Sequence, residues 1–179
     1  MPQPNVDREV FAADLERART DFHHLLEVTG EDEWNAPTNG TRWTNEELLL
    51  HMVFGYMIVQ KLLLLLRVFG RLPAGASRGN ARFLVAMTAP FDVINFYGSR
   101  VAARVYNRRR MGAKLDRVIG SLQGSLRRES DADFARGMHY PARWDPYFHD
   151  YMTLAEIYRY PGRHYDHHRK QLTVNSIHK

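Results

Sequence analysis

The sequence predicts an all-α protein with four main helices, long loops and a kinked or split last helix. Three observations carry this. Apolar residues recur at spacings of three and four through much of the chain, two threonines stand three residues ahead of a glutamate in capping-box spacing, and no pair of alternating segments is joined by a hairpin signal. The 179 residues, 44% hydrophobic and 25% charged, suit one folded domain over residues 1–179.

In the first helix Phe11, Leu15, Ala18, Phe22, Leu25, Leu26 and Thr29 share one face, with Asp7 as its cap. "GEDEWNAPTNGTRW" reads as a loop anchored by its aromatics. Thr44 and Glu47 then open a second helix near Asn45 that runs towards Phe69. "GRLPAGASRGN", rich in glycine and small residues, reads as a connector without the context of a phosphate-binding loop. From Phe91 a third helix places Ile94, Tyr97, Val101 and Val105 on one side and Arg100, Arg104 and Arg108 on another. It continues through Leu115, Val118, Ile119 and Leu122, with a break near Gly112. "DADFARGMHYPARWDPYFHDYM" has no sustained period and is too long and aromatic for a passive connector. Thr153 and Glu156 open a last helix towards Ser176, interrupted by Pro161 and Gly162.

Composition excludes some chemistry. With no cysteine there is no disulfide, thiolate metal site or cysteine nucleophile, and a reducing cytoplasm is the expected setting. The amino-terminal segment lacks the basic start and apolar block of a signal peptide. "LLLHMVFGYMIVQKLLLLLRVF" is apolar enough to suggest a membrane span, but His51, Gln60, Lys61 and Arg67 interrupt it, so a central bundle helix is the better reading. Its leucines surround much of the helix, which suits either a homodimer interface or burial within one chain.

Near the end of the chain, "RYPGRHYDHHRKQL" holds three histidines. His164 and His168 lie one helical turn apart, as in a His-x-x-x-His metal motif; His167 is an alternative partner for His164 that points in a different direction. Two imidazoles make a weak site, and His51, set in an apolar helix, is the leading third ligand. Zinc or nickel would accept such a neutral set, with positions left open for water or substrate. The alternatives are a core histidine at 51 and an exposed polar face at 164 and 168.

Two blocks carry a family resemblance. In "PTNGTRWTNEELLLHMVFGYM", Trp43 precedes a helix start at Thr44 and His51 follows; in "HYDHHRKQL", His164, His168, Arg169 and Gln171 form a His-x-x-x-His-Arg-x-Gln pattern. The chain thereby resembles the DinB-like superfamily of metalloenzymes, whose members include mycothiol- and bacillithiol-dependent enzymes. The resemblance implies an antiparallel four-helix bundle with a divalent metal held by His51, His164 and His168, and leaves His167 outside.

A divalent ion with three neutral imidazoles keeps its positive charge and can lower the pKa of a bound thiol or water. Transfer of a low-molecular-weight thiol to a small electrophile, isomerisation and hydrolysis are all within reach. The resemblance favours thiol chemistry, with mycothiol or bacillithiol as co-substrate. Glu47 and Asp166 are candidates to orient the imidazoles, Gln171 to border them, and Tyr140, Trp144, Tyr147 and Phe148 to line a pocket. His139 or His149 would transfer protons, and Arg169 would hold an anionic substrate or form a salt bridge.

Two rivals stand beside this reading. One is a non-catalytic metal-binding or stress-related binding protein. The other is nucleic-acid binding, suggested by the net charge of +5, a pI near 9.6 and the run Arg100, Arg104, Arg108, Arg109, Arg110 and Lys114. The run lacks any recognised reading module, and a solvated helix face explains its spacing equally well.

Overall fold

The apolar stripe of the first helix becomes one wall of the core: Phe11, Leu15, Ala18, Phe22 and Leu25 are all buried. The computed structural model describes residues 8–86, 97–98 and 106–174. Its elements there are α1 (Arg8–Val28), α2 (Asn45–Phe69), α3 (Ala74–Ala86), α4 (Arg108–Leu126), the one-turn α5 (Asp131–Phe134), β1 (Gly137–His139), β2 (Tyr151–Thr153) and α6 (Leu154–Arg169).

Both capping boxes form. Thr44 accepts from the Glu47 amide while Glu47 accepts from the Thr44 amide, and Thr153 and Glu156 repeat the arrangement. These reciprocal bonds satisfy free backbone donors and set where α2 and α6 begin. α2 is long and apolar enough, by length and composition, to cross a membrane. Burial of Leu48, Leu49, Met52, Val53, Val59, Leu62, Leu63 and Leu66 accounts for that composition as a core helix, while Leu64 and Val68 stay exposed.

Four helices pack as a bundle in the spatial order α1, α4, α2, α6. Facing residues give their directions. Phe11 stacks on Tyr158 and Asp21 pairs with Arg169, so α1 and α6 run parallel. Gly55 meets His164 and Trp43 meets His168, so α2 and α6 run antiparallel. His23 to Asp116 and Glu16 to Gln123 make α1 and α4 antiparallel. Glu46 to the Arg108 amide, and Arg67 to Glu129 just beyond α4, make α2 and α4 parallel. Parallel neighbours need a crossover between their ends, and the stretch containing α3 supplies it.

Several sequence expectations change. The glycine-rich connector is helical from Ala74 onward, where α3 begins. The break before α4 falls at Asn107, whose side chain caps the helix, and α4 runs through Gly112 without interruption. A small antiparallel strand pair, β1 with β2, sits where no strand was expected, with Met138 opposite Met152. The last helix is one continuous element containing Pro161 and ends at Arg169 rather than Ser176. The Asp7 cap, the positions Ile94, Arg100, Val101, Arg104 and Val105, and Ser176 lie outside the described residues.

Candidate metal centre

Because α2 and α6 run in opposite directions, the first turns of α2 lie beside the last turns of α6, and this brings the three predicted histidines together. Ring centroids are 5.2 Å apart for His51 and His164, 4.7 Å for His51 and His168, and 4.5 Å for His164 and His168. One nitrogen from each ring lies within 4.8 Å of the other two. His51 and His164 are buried and His168 is partly covered.

Local packing explains the convergence. Gly55 follows His51 by one turn, and a Cβ placed there would stand 2.5 Å from His164 Nδ1. The missing side chain is therefore the space that the His164 ring occupies. Trp43 stacks on His51 with centroids 4.3 Å apart and a 26° angle, holding that ring from the loop side. Gln171 Oε1 lies 2.7 Å from His168 Nδ1; an amide oxygen only accepts, so Nδ1 carries the proton and Nε2 keeps its lone pair. Gln171 reaches back this way because the helix ends at Arg169, and its carbonyl is held by the Asn39 amide at 2.8 Å.

Burial lowers the basicity of all three rings. The His51 pKa is pushed down to about 3 by desolvation and then by His168. His168 is pushed down to about 4 by desolvation, and His164 well below its ordinary value by desolvation and then by His51. All three are neutral donors at neutral pH. His51 Nδ1 and His164 Nδ1 are buried without a hydrogen-bond partner among the described residues. A deep, neutral, nitrogen-rich set of this kind fits a borderline divalent metal.

A cavity of about 170 Å³ opens beside the rings, bordered by Ile58, Trp144, Asp145, Phe148 and Tyr160. Asp145 Oδ2 lies 3.8 Å from His164 Nε2 and accepts from the Tyr160 hydroxyl at 2.9 Å, while Oδ1 accepts from the Tyr147 amide at 2.8 Å. Desolvation raises its pKa. Sequence reasoning missed both Asp145 and Tyr160; the available signal was an Asp-Pro pair inside the aromatic loop, "RWDPYF".

The other predicted residues are distributed unevenly. Trp144 and Phe148 border the cavity. Glu47 closes its capping box, and His51 Nδ1 is left without a partner. Asp166 faces α1 and pairs with Arg17 at 3.0 Å. Arg169 grips Asp21 through two bonds of 2.7 and 2.9 Å, so the salt bridge is what the structure shows. His139 lies 3.1 Å from Asp150, and His149 lies 2.9 Å from Glu156. Tyr140 borders a separate groove. Exposed His167 turns towards Tyr147, with centroids 5.8 Å apart.

Gly55→Ala should displace His164, cost about 1–3 kcal/mol in urea unfolding and weaken zinc binding at least about tenfold. Gly120→Ala, where a Cβ meets nothing within 4 Å, should leave both unchanged or slightly improved; equal behaviour of the two variants would refute the role given to Gly55. In metal-free protein folded His51 and His168 resist protonation down to about pH 3 and about pH 4, and His164 is shifted in the same direction, whereas unfolded imidazole titrates near 6.5. The unfolded state therefore binds more protons in that window, and stability present above pH 6.5 is lost as pH falls, by up to about 1.4 kcal/mol per unit and group. Urea midpoints should fall across the window and fall less in a His51→Gln/His164→Gln variant; the same slope in both proteins would contradict the burial argument.

Comparison with known proteins bears on the fold and the family. A family model for the DinB superfamily matches residues 14–172. No curated protein matches the chain. Among solved structures, YfiT from Bacillus subtilis superposes with a TM-score of 0.62 at 16% identity, covering 99% of this chain and 92% of its own. YfiT is described as a probable metal-dependent hydrolase with an unusual four-helix bundle topology. At that identity the likeness speaks for the fold, and it is the match across residues 14–172 that decides the family: the chain belongs to the DinB superfamily.

Proposed function

We propose that the chain is a divalent-metal-dependent enzyme in which His51, His164 and His168 hold zinc or nickel, and a low-molecular-weight thiol is transferred to a small electrophile or drives its isomerisation. The observation that carries this reading is the convergence of three neutral imidazoles, two buried and one partly covered, beside a cavity. When bound there, a divalent ion supplies positive charge that lowers the pKa of a coordinated thiol or water.

The chain's own residues supply the surroundings. Gln171 orients His168, and Trp43 holds His51 from one face. Ile58, Trp144, Phe148 and Tyr160 give the cavity an apolar wall that suits an apolar electrophile. The Asp145 carboxylate, held by Tyr160 and the Tyr147 amide, borders the cavity and would accept a proton released by the nucleophile. With no cysteine in the chain, the sulfur must come from a separate molecule, and the DinB resemblance suggests mycothiol or bacillithiol. A cytoplasmic setting, where such thiols stay reduced, suits the reading.

Hydrolysis is the second reading, favoured by the description of YfiT and by the position of Asp145 beside the triad. Zinc- or nickel-loaded protein should convert the electrophile only when thiol is added, with one thiol consumed per turnover in transfer and none in isomerisation. Replacing His51, His164 and His168 by Gln should lower turnover at least about 100-fold, a loss of about 2.7 kcal/mol in transition-state stabilisation, while circular dichroism stays helical. Turnover independent of added thiol would favour the hydrolase. Metal-dependent melting with no turnover on any substrate would favour a metal-binding protein without catalysis.

A further inference from the structure

Beyond the histidine cavity, a groove of about 360 Å³ lies between α3 and the segment that follows β1, bordered by Arg78, Arg82, Val85, Tyr140, Arg143 and Asp150. Arg78 and Arg82 are one turn apart on α3, and Arg143 faces the same groove from the loop. Among the described residues none of these three guanidiniums has an acidic partner. The carboxylate in the groove, Asp150, is engaged by His139 at 3.1 Å. Tyr140 forms part of the wall, is only 2% exposed, and its hydroxyl is buried without a hydrogen-bond partner. Ala81, Ala142 and Val85 give the groove an apolar component.

Like-charged side chains gathered in a concavity, with too few acids to neutralise them, raise the local concentration of anions, and guanidinium matches carboxylate and phosphate through paired hydrogen bonds. A buried hydroxyl without an acceptor adds a donor whose desolvation is otherwise uncompensated. We propose that this groove is a binding site for a small molecule bearing a carboxylate or phosphate group, held by Arg78, Arg82 and Arg143. The site stands apart from the metal reading, since no residue of the triad borders it. The two are linked through Trp144, which borders the histidine cavity and donates from its indole to the Leu84 carbonyl of α3 at 3.2 Å, two residues from Arg82 and one from Val85.

Calorimetric titration of the full chain with inorganic phosphate and, separately, with succinate at low salt tests the assignment. Wild-type protein should bind at least one of them saturably, and Arg82→Gln/Arg143→Gln should weaken that binding at least about tenfold with helical content and metal content unchanged. Arg109→Gln/Arg110→Gln, which removes two exposed arginines elsewhere, should keep wild-type affinity. Absence of saturable binding up to about 10 mM, or equal weakening in both double variants, would overturn the site. A single-stranded oligonucleotide that binds more tightly than either small anion and is lost in Arg82→Gln/Arg143→Gln would overturn it in favour of a nucleic-acid surface.

Discussion

The close approach of α6 to two helices at once, through two glycines, is the constraint on which the rest of the structure depends. Gly55 on α2 leaves the space taken by the His164 ring, and Gly162 on α6 leaves the space taken by the Asp14 carboxylate of α1, where a Cβ would stand 2.0 Å from Oδ2. Consecutive contacts along α1 then fix the rotation of α6: Arg17 bridges Asp14 and Asp166, and Asp21 accepts from both Tyr165 and Arg169. With that face turned to α1, the helical advance of about 100° per residue directs His164 and His168 to α2. Asp166 and Arg169 thus act on the site through the orientation of the helix that carries its histidines.

The same packing sets the electrostatics. Three imidazoles removed from water hold few protons at neutral pH, and each proton they accepted would repel the others. Neutral rings are the form that ligates metal, so desolvation prepares the donors. Gln171 and Trp43 limit ring motion from opposite ends of the chain's packing: one follows α6, the other precedes α2, and Asn45 joins these regions by accepting from the Thr173 amide at 3.0 Å. The spacing between Trp43 and His51 therefore corresponds to a ring contact, and the Gln171 of the closing pattern to a hydrogen bond.

Much of this was legible in the sequence because it is written locally. The Thr44 and Thr153 capping boxes, the buried stripe of α1 and the spacing of His164 and His168 follow from helical geometry over a few residues, and His51 stood out as a histidine in an apolar helix. Features that depend on distant segments were less legible. α3 forms despite Gly75 and Gly79, each costing about 1 kcal/mol relative to alanine, so its context outweighs local propensity. β1 and β2 are three residues each, too short for an alternation signal, and pair across an extended loop. Asp145 gains its place only when that loop folds over the cavity. Pro161 suggested a split helix, yet α6 continues through it, buried with Gly162 against the neighbouring helices.

The central claim is that His51, His164 and His168 are ligands of one ion. X-ray absorption spectroscopy of the full chain loaded with one equivalent of zinc tests it most directly. The account predicts nitrogen scatterers at about 2.0–2.1 Å with the multiple-scattering pattern of three imidazoles, reduced when any one of the three histidines is replaced. A spectrum with oxygen ligands alone, or an imidazole pattern unchanged by all three replacements, would contradict it.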